Sequence, residues 1–97
     1  MPAEVLIFRT QFCGYCVRAK VLLEKKGAAY REVDVSNDRE RRSWLVDVTG
    51  RRTVPQIFIN GRHIGGFHEL ANLEKRGELD ALLAEEPEPL TVGRPRP

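Results

Sequence analysis

The stretch Gln56-Ile57-Phe58-Ile59-Asn60-Gly61-Arg62-His63-Ile64 leaves the chain little freedom. Two runs rich in β-branched and aromatic residues flank Asn-Gly, the pair that tolerates positive φ at both centres of a two-residue turn, so an antiparallel hairpin is expected. Upstream, Val5-Leu6-Ile7-Phe8 is an unbroken apolar run, the pattern of a strand covered on both faces. Val33 and Val35 alternate with charges in Tyr30-Arg31-Glu32-Val33-Asp34-Val35 and mark a further strand. Helical spacing fills the gaps. Val17, Ala19, Val21, Leu22 and Leu23 recur at that period until Gly27. Asn37 with Glu40 three residues on reads as a capping box; beyond it Trp44, Leu45 and Val48 share a face as far as Gly50. Phe67, Leu70 and Leu73 precede Gly77, and Leu79, Leu82 and Leu83 mark a last short helix.

The order is strand, helix, strand, helix, hairpin, helix, helix. A βαβ unit is parallel with a right-handed crossover, and the hairpin adds two antiparallel strands. The fold class is therefore α/β, a mixed four-stranded sheet with flanking helices. Its 97 residues suit one domain with a modest core. Residues 1–85 are assigned to it, and 86–97, rich in proline that helix interiors reject, are expected to form a mobile tail. The net charge of +2 makes no general case for nucleic acid, although Arg39, Arg41, Arg42, Arg51 and Arg52 are locally dense. No apolar run approaches the roughly 20 residues of a membrane span, and Met1-Pro2-Ala3-Glu4 does not read as the start of a signal peptide. No membrane partner is expected. Two cysteines in such a chain point to metal or redox chemistry in a reducing compartment, with the cytoplasm as default.

Those cysteines are Cys13 and Cys16, in Cys13-Gly14-Tyr15-Cys16. At i and i+3, opening a helix after a buried strand, they share a face and their sulfurs can close a disulfide. Cys13 falls where backbone N–H groups are unpaired and the helix dipole is positive, which favours thiolate. Cys16 lies one turn further in and stays a thiol until needed. Cys13 is therefore the nucleophile and Cys16 the resolving thiol. A zinc site completed by His63 and His68 is the competing reading, but the gap from Cys16 far exceeds the ~12–15 residues of a finger. Two inert buried cysteines are the other alternative.

The chain resembles the glutaredoxin family at three places: Cys13-Gly-Tyr-Cys16, Thr53-Val54-Pro55-Gln56-Ile57-Phe58-Ile59, and Ile64-Gly65-Gly66-Phe67. The resemblance runs from about Val5 to Leu83. It implies the thioredoxin fold and an enzyme that reduces protein–glutathione mixed disulfides and small disulfides, with glutathione as bound thiol and reductant. In the family the proline of Thr53-Val54-Pro55 is cis and the residue before it pairs with glutathione like an added strand. The residues alone favour a trans proline at a strand start. The resemblance also implies that Gly65-Gly66, with Phe67, His68 and Glu69, cradles the γ-glutamyl end. As residues, the glycines offer close backbone approach and free N–H groups for an anion.

Thr10 stands three residues before Cys13, where the family often has lysine, so the cation for glutathione's glycine carboxylate falls to Arg9 or Arg42. His68-Glu69 stands where the family often has two aspartates, leaving either to meet the ammonium. Tyr15 is expected to cover the disulfide and offer its hydroxyl to substrate. Trp44 reads as helix packing. Gly14 replaces a common family proline, and family members with a small residue there include some that hold a [2Fe–2S] cluster between two subunits through the first cysteine of each and two glutathiones. The resemblance thus implies a monomer, with a cluster-bridged dimer through Cys13 as the alternative.

Overall fold

In the computed structural model, which describes residues 1–87, the elements run β1 (Val5–Arg9), α1 (Gly14–Lys25), β2 (Arg31–Asp34), α2 (Arg39–Thr49), β3 (Gln56–Ile59), β4 (Arg62–Gly65), α3 (Phe67–Lys75) and α4 (Leu79–Ala84). Most of the expected tail, from residue 88 on, lies outside the described residues. The sheet order is β2-β1-β3-β4. β1 and β2 are parallel, and β3 runs antiparallel to both β1 and β4. The hairpin turns as its sequence demands, with φ of 51° at Asn60 and 79° at Gly61. Asn60 also stitches the turn to the start of β1, exchanging hydrogen bonds with the Glu4 backbone at 2.8 Å.

Strand side chains alternate between faces, and each face builds its own core. Val5, Ile7, Ile57 and Ile59 pack with Ala19 and Leu23 of α1, Leu70 of α3, and Leu79 and Leu83 of α4. On the other face Phe8 and Phe58 meet Val35 and Leu45, with Trp44 and Val54 partly buried against them. Phe8 and Phe58 are edge-on at 5.6 Å and Trp44 lies 5.6 Å from Phe8, so Trp44 serves packing, as expected.

Two local readings need correction. The face α1 buries is Cys16, Ala19 and Leu23, whereas Val17 and Val21 stand 54% and 45% exposed. Both sets share the helical period, and only what packs above the sheet chooses between them. The N-cap of α2 is Asp38, one residue beyond Asn37: its Oδ1 accepts the Arg41 N–H at 2.9 Å. The Asp38 N–H bonds Val35 O at 3.3 Å, so the chain is still turning where Asn37 would have capped. Gly50 ends α2 in the left-handed conformation, as its position required.

Candidate active site at Cys13 and Cys16

Cys13 is the N-cap of α1, a position that serine, threonine and aspartate usually fill by accepting a first-turn N–H. Here the sulfur takes that role, and the Cys16 N–H points at Cys13 Sγ from 3.1 Å. A donor fixed on this atom favours negative charge there over a neutral thiol when the disulfide is opened. The two cysteines are joined as a disulfide, with Cα atoms 5.2 Å apart. Their exposures differ sharply: Cys13 is half-buried while Cys16 is 1% exposed. Only the first sulfur is open to the surface. Phe12, which no sequence pattern singles out, is 95% exposed beside Cys13.

The segment before β3 comes up against this sulfur. The Val54–Pro55 peptide is cis, which corrects the trans proline favoured by the residues alone and agrees with the resemblance. The Val54 carbonyl oxygen lies 3.7 Å from Cys13 Sγ. Beneath it sits Gln56, fully buried, whose Nε2 donates to Thr53 O at 2.9 Å. Its Oε1 lies 2.6 Å from His63 Nε2. With the Gln56 amide nitrogen facing Thr53, the oxygen must accept, so His63 carries its hydrogen on Nε2. Burial lowers the His63 pKa, nearby Arg51 lowers it further, and Glu69 opposes both, which favours the neutral ring. No sequence motif announces this support for Thr53 and Val54. Its one signal is a glutamine opening an otherwise apolar strand.

Gly66 caps α3 and packs close, since a Cβ there would lie 3.3 Å from Pro55 O. Gly65 has φ +122°, and a Cβ on it would fall 2.5 Å from Glu69 Oε1. The expectation of free N–H groups needs one amendment: the Gly66 N–H donates to Glu69 Oε1 at 2.6 Å. The amides left for an anion are those of the first turn, at Phe67 and His68. Glu69 also takes Arg51 Nη1 at 2.7 Å. Arg51 first, then the Gly66 N–H, holds its carboxyl below the ordinary value of 4.5.

Tyr15, 48% exposed, stacks on Phe67 at 6.2 Å and tilts against His68 at 5.2 Å. The Arg18 guanidinium lies 4.6 Å from the Phe67 ring centre. These contacts bind the cysteine turn to the start of α3. On the other side of Val54 opens a cleft of about 780 Å³ between α2 and residues 51–54, lined in part by Arg39, Arg42, Arg51, Arg52 and Thr53. Arg9 is engaged elsewhere, its guanidinium held by Glu32 at 2.7 Å and Asp34 at 3.3 Å across β2. Thr10 follows it, half-buried, in the loop to Cys13.

The model of the Glutaredoxin family matches residues 5–64. The chain is 45% identical to Glutaredoxin 1 of Rickettsia prowazekii over 85 residues, covering 86% of this chain and 90% of that protein. It is 44% identical to Glutaredoxin 3 of Escherichia coli K12 over 81 residues, covering 84% of this chain and 98% of that one. Among solved structures, the buckwheat glutaredoxin–glutathione complex superposes with a TM-score of 0.79 at 33% identity, covering 84% of this chain and 76% of that chain.

Proposed function

Since the chain belongs to the glutaredoxin family of thioredoxin-fold thiol–disulfide oxidoreductases, we propose that it reduces protein–glutathione mixed disulfides and small disulfides with glutathione as reductant. The observation that carries this reading is the asymmetry of the pair. Cys13 is reachable, held by an N–H and faced by the Val54 carbonyl, while Cys16 is sealed one turn behind it. The buckwheat relative, solved with glutathione, supports the choice of thiol.

In the proposed cycle the Cys13 thiolate attacks the glutathione sulfur of a protein–glutathione disulfide. The protein sulfur leaves as a thiolate and takes a proton, and a Cys13–glutathione disulfide forms. A second glutathione thiolate then attacks that glutathione sulfur, releasing glutathione disulfide and restoring Cys13. With a protein or small disulfide, Cys13 forms the mixed disulfide and Cys16 attacks Cys13 Sγ, expelling the reduced product. Two glutathione thiols supply the two electrons that reopen Cys13–Cys16. Buried as it is, Cys16 resolves only from within.

Glutathione lies along Val54 as an added strand, between Thr53 and Pro55, with Tyr15 over the sulfur. Its γ-glutamyl carboxylate meets the Phe67 and His68 amides that Gly65 and Gly66 bring forward, and His68 and Glu69 border the ammonium. Arg42 suits the glycine carboxylate better than Arg9: it lines the cleft beside Thr53 without an ion pair among the described residues, whereas Glu32 and Asp34 hold Arg9. The cluster alternative would draw Cys13 from each of two chains, with two glutathiones, and no observation on this chain favours it. Among the described residues no three His, Cys, Asp or Glu side chains lie together, so a metal held by this chain's side chains alone is not part of the reading. The proposed cycle runs on sulfur alone. We place it in the cytoplasm because a pair cycling on glutathione needs a compartment that keeps thiols reduced. No helix among the described residues is long and apolar enough to cross a membrane.

The test is glutathione-dependent reduction of a glutathionylated peptide by wild type, Cys13→Ser and Cys16→Ser. Cys13→Ser is expected to be inactive. Cys16→Ser keeps deglutathionylation, because glutathione resolves the Cys13 adduct, and loses protein-disulfide reduction. Full activity in Cys13→Ser overturns the assignment of the nucleophile.

A further inference from the structure

The cleft beside Val54 is larger and more positive than one glutathione carboxylate requires. Four arginines line it, Arg39 and Arg42 from α2 and Arg51 and Arg52 from the segment after Gly50, against two carboxylates, Asp38 and Asp47. Arg51 is neutralised by Glu69 at 2.7 Å, and Asp38 is taken by the Arg41 amide at 2.9 Å and its guanidinium at 3.6 Å. Arg39, Arg42 and Arg52 enter no ion pair among the described residues. With Arg42 assigned to the glycine carboxylate, two guanidinium groups remain without a task. The cleft adjoins the reacting centre through Val54, which lines it and whose carbonyl oxygen lies 3.7 Å from Cys13 Sγ.

We propose that this cleft docks an acidic segment of the client protein near its glutathionylated cysteine, with Arg39 and Arg52 receiving Asp or Glu side chains. The proposal rests on the glutathione-dependent reading. Guanidinium groups suit this task, because their planar fork takes a carboxylate by two parallel N–H bonds and sheds water more readily than an ammonium. Exposed charges at the rim of a site act chiefly on encounter and selection, and their effect fades with salt.

The experiment compares kcat/KM for two glutathionylated peptides of equal length, one with Asp and Glu around the cysteine and one with Lys. For wild type at low salt the acidic peptide is expected to lead by about tenfold, and the lead shrinks in 0.5 M salt. The double variant Arg39→Glu/Arg52→Glu abolishes or inverts the lead, while the mixed disulfide of glutathione with 2-mercaptoethanol, whose non-glutathione half is uncharged, turns over within twofold of wild type. Equal turnover of the two peptides, or a lead that survives the double variant, overturns the proposal. So does a parallel loss on the glutathione–2-mercaptoethanol disulfide, which assigns Arg39 and Arg52 to glutathione itself. Displacement of the acidic peptide by a single-stranded oligonucleotide at much lower concentration also overturns it, in favour of nucleic acid. Peptide affinity is measured separately on Cys13→Ser by fluorescence anisotropy. If no glutathionylated substrate reacts with wild type, the glutathione reading fails, and the anisotropy alone decides whether the cleft prefers acidic peptides.

Discussion

At Glu69 one carboxylate serves three neighbours. It accepts the Gly66 N–H at 2.6 Å, pairs with Arg51 at 2.7 Å, and fills the space a Cβ on Gly65 would need. The sequence offered Glu69 only as a partner for a bound ammonium, because the capping-box signature begins with serine or threonine and here the cap is a glycine. Its carboxyl is held below the ordinary 4.5, by Arg51 first and the Gly66 amide next. A carboxylate whose folded pKa is lowered adds stability that is complete above the unfolded value and is lost as pH falls through the folded one. Glu69→Gln keeps an acceptor for Gly66 and removes the charge. At pH 7 it is expected to cost less than about 1 kcal/mol, since the side chain is partly exposed and its ion pair screened. Thermal melts check the sign: the gap between wild type and variant is present at pH 7 and narrows steadily below pH 4.5. A gap that stays constant down to pH 3 contradicts the ion-pair account.

At the scale of elements, the start of α1 joins local stability to chemistry. Gly14 is its first residue, with nothing within 4 Å of the point a Cβ would occupy and no positive φ. That is the helical position proline fills best, since the N–H it removes has no intrahelical partner. Gly14→Pro should therefore raise stability by about 0.4–1 kcal/mol, by restricting the unfolded chain. A denaturant titration of the reduced protein would show a higher midpoint at unchanged slope; a lower midpoint would mean that the Gly14 amide is needed where it is. Elements with strong local codes are legible in the residues themselves. The Asn60-Gly61 turn specifies its own geometry, and β1 declares burial on both faces by its unbroken apolar run. The exposed Val17 and Val21 and the shifted cap at Asp38 are not legible, because alternatives of equal local quality sit beside them in sequence. The Gln56–His63 support is hidden for a different reason: it joins residues that meet only after β3 and β4 have paired, whereas the cis Val54–Pro55 bond is legible through the family resemblance and not from the residues alone.

At the scale of the whole molecule, chemistry and anchorage occupy opposite ends of β1. Cys13 follows that strand, whereas Ala3 precedes it and donates to Leu83 O of α4 at 3.1 Å. A strand of five residues separates them by about 17 Å. α4 has only six residues, too few to hold a helix unaided. Burial of Leu79 and Leu83 in the larger core, the Lys26–Asp80 ion pair at 2.8 Å and the Arg62–Glu85 pair at 2.6 Å fix it in place. The two ion pairs are exposed in part and contribute little, so the leucines carry the attachment. Leu83→Ala is expected to cost about 2–5 kcal/mol, by lost transfer energy and an unfilled cavity. In a domain of this size that lowers Tm by roughly 10 °C or more. Below the transition the Cys13 environment is built from α1, α3 and the Val54 segment, none of which Leu83 supplies. Glutathione-dependent turnover at 15 °C should therefore stay within twofold of wild type, with circular dichroism confirming that the variant is folded at that temperature. A folded Leu83→Ala protein with strongly reduced turnover would show that α4 sets the geometry of Cys13 through the sheet, and that the two ends of β1 are coupled.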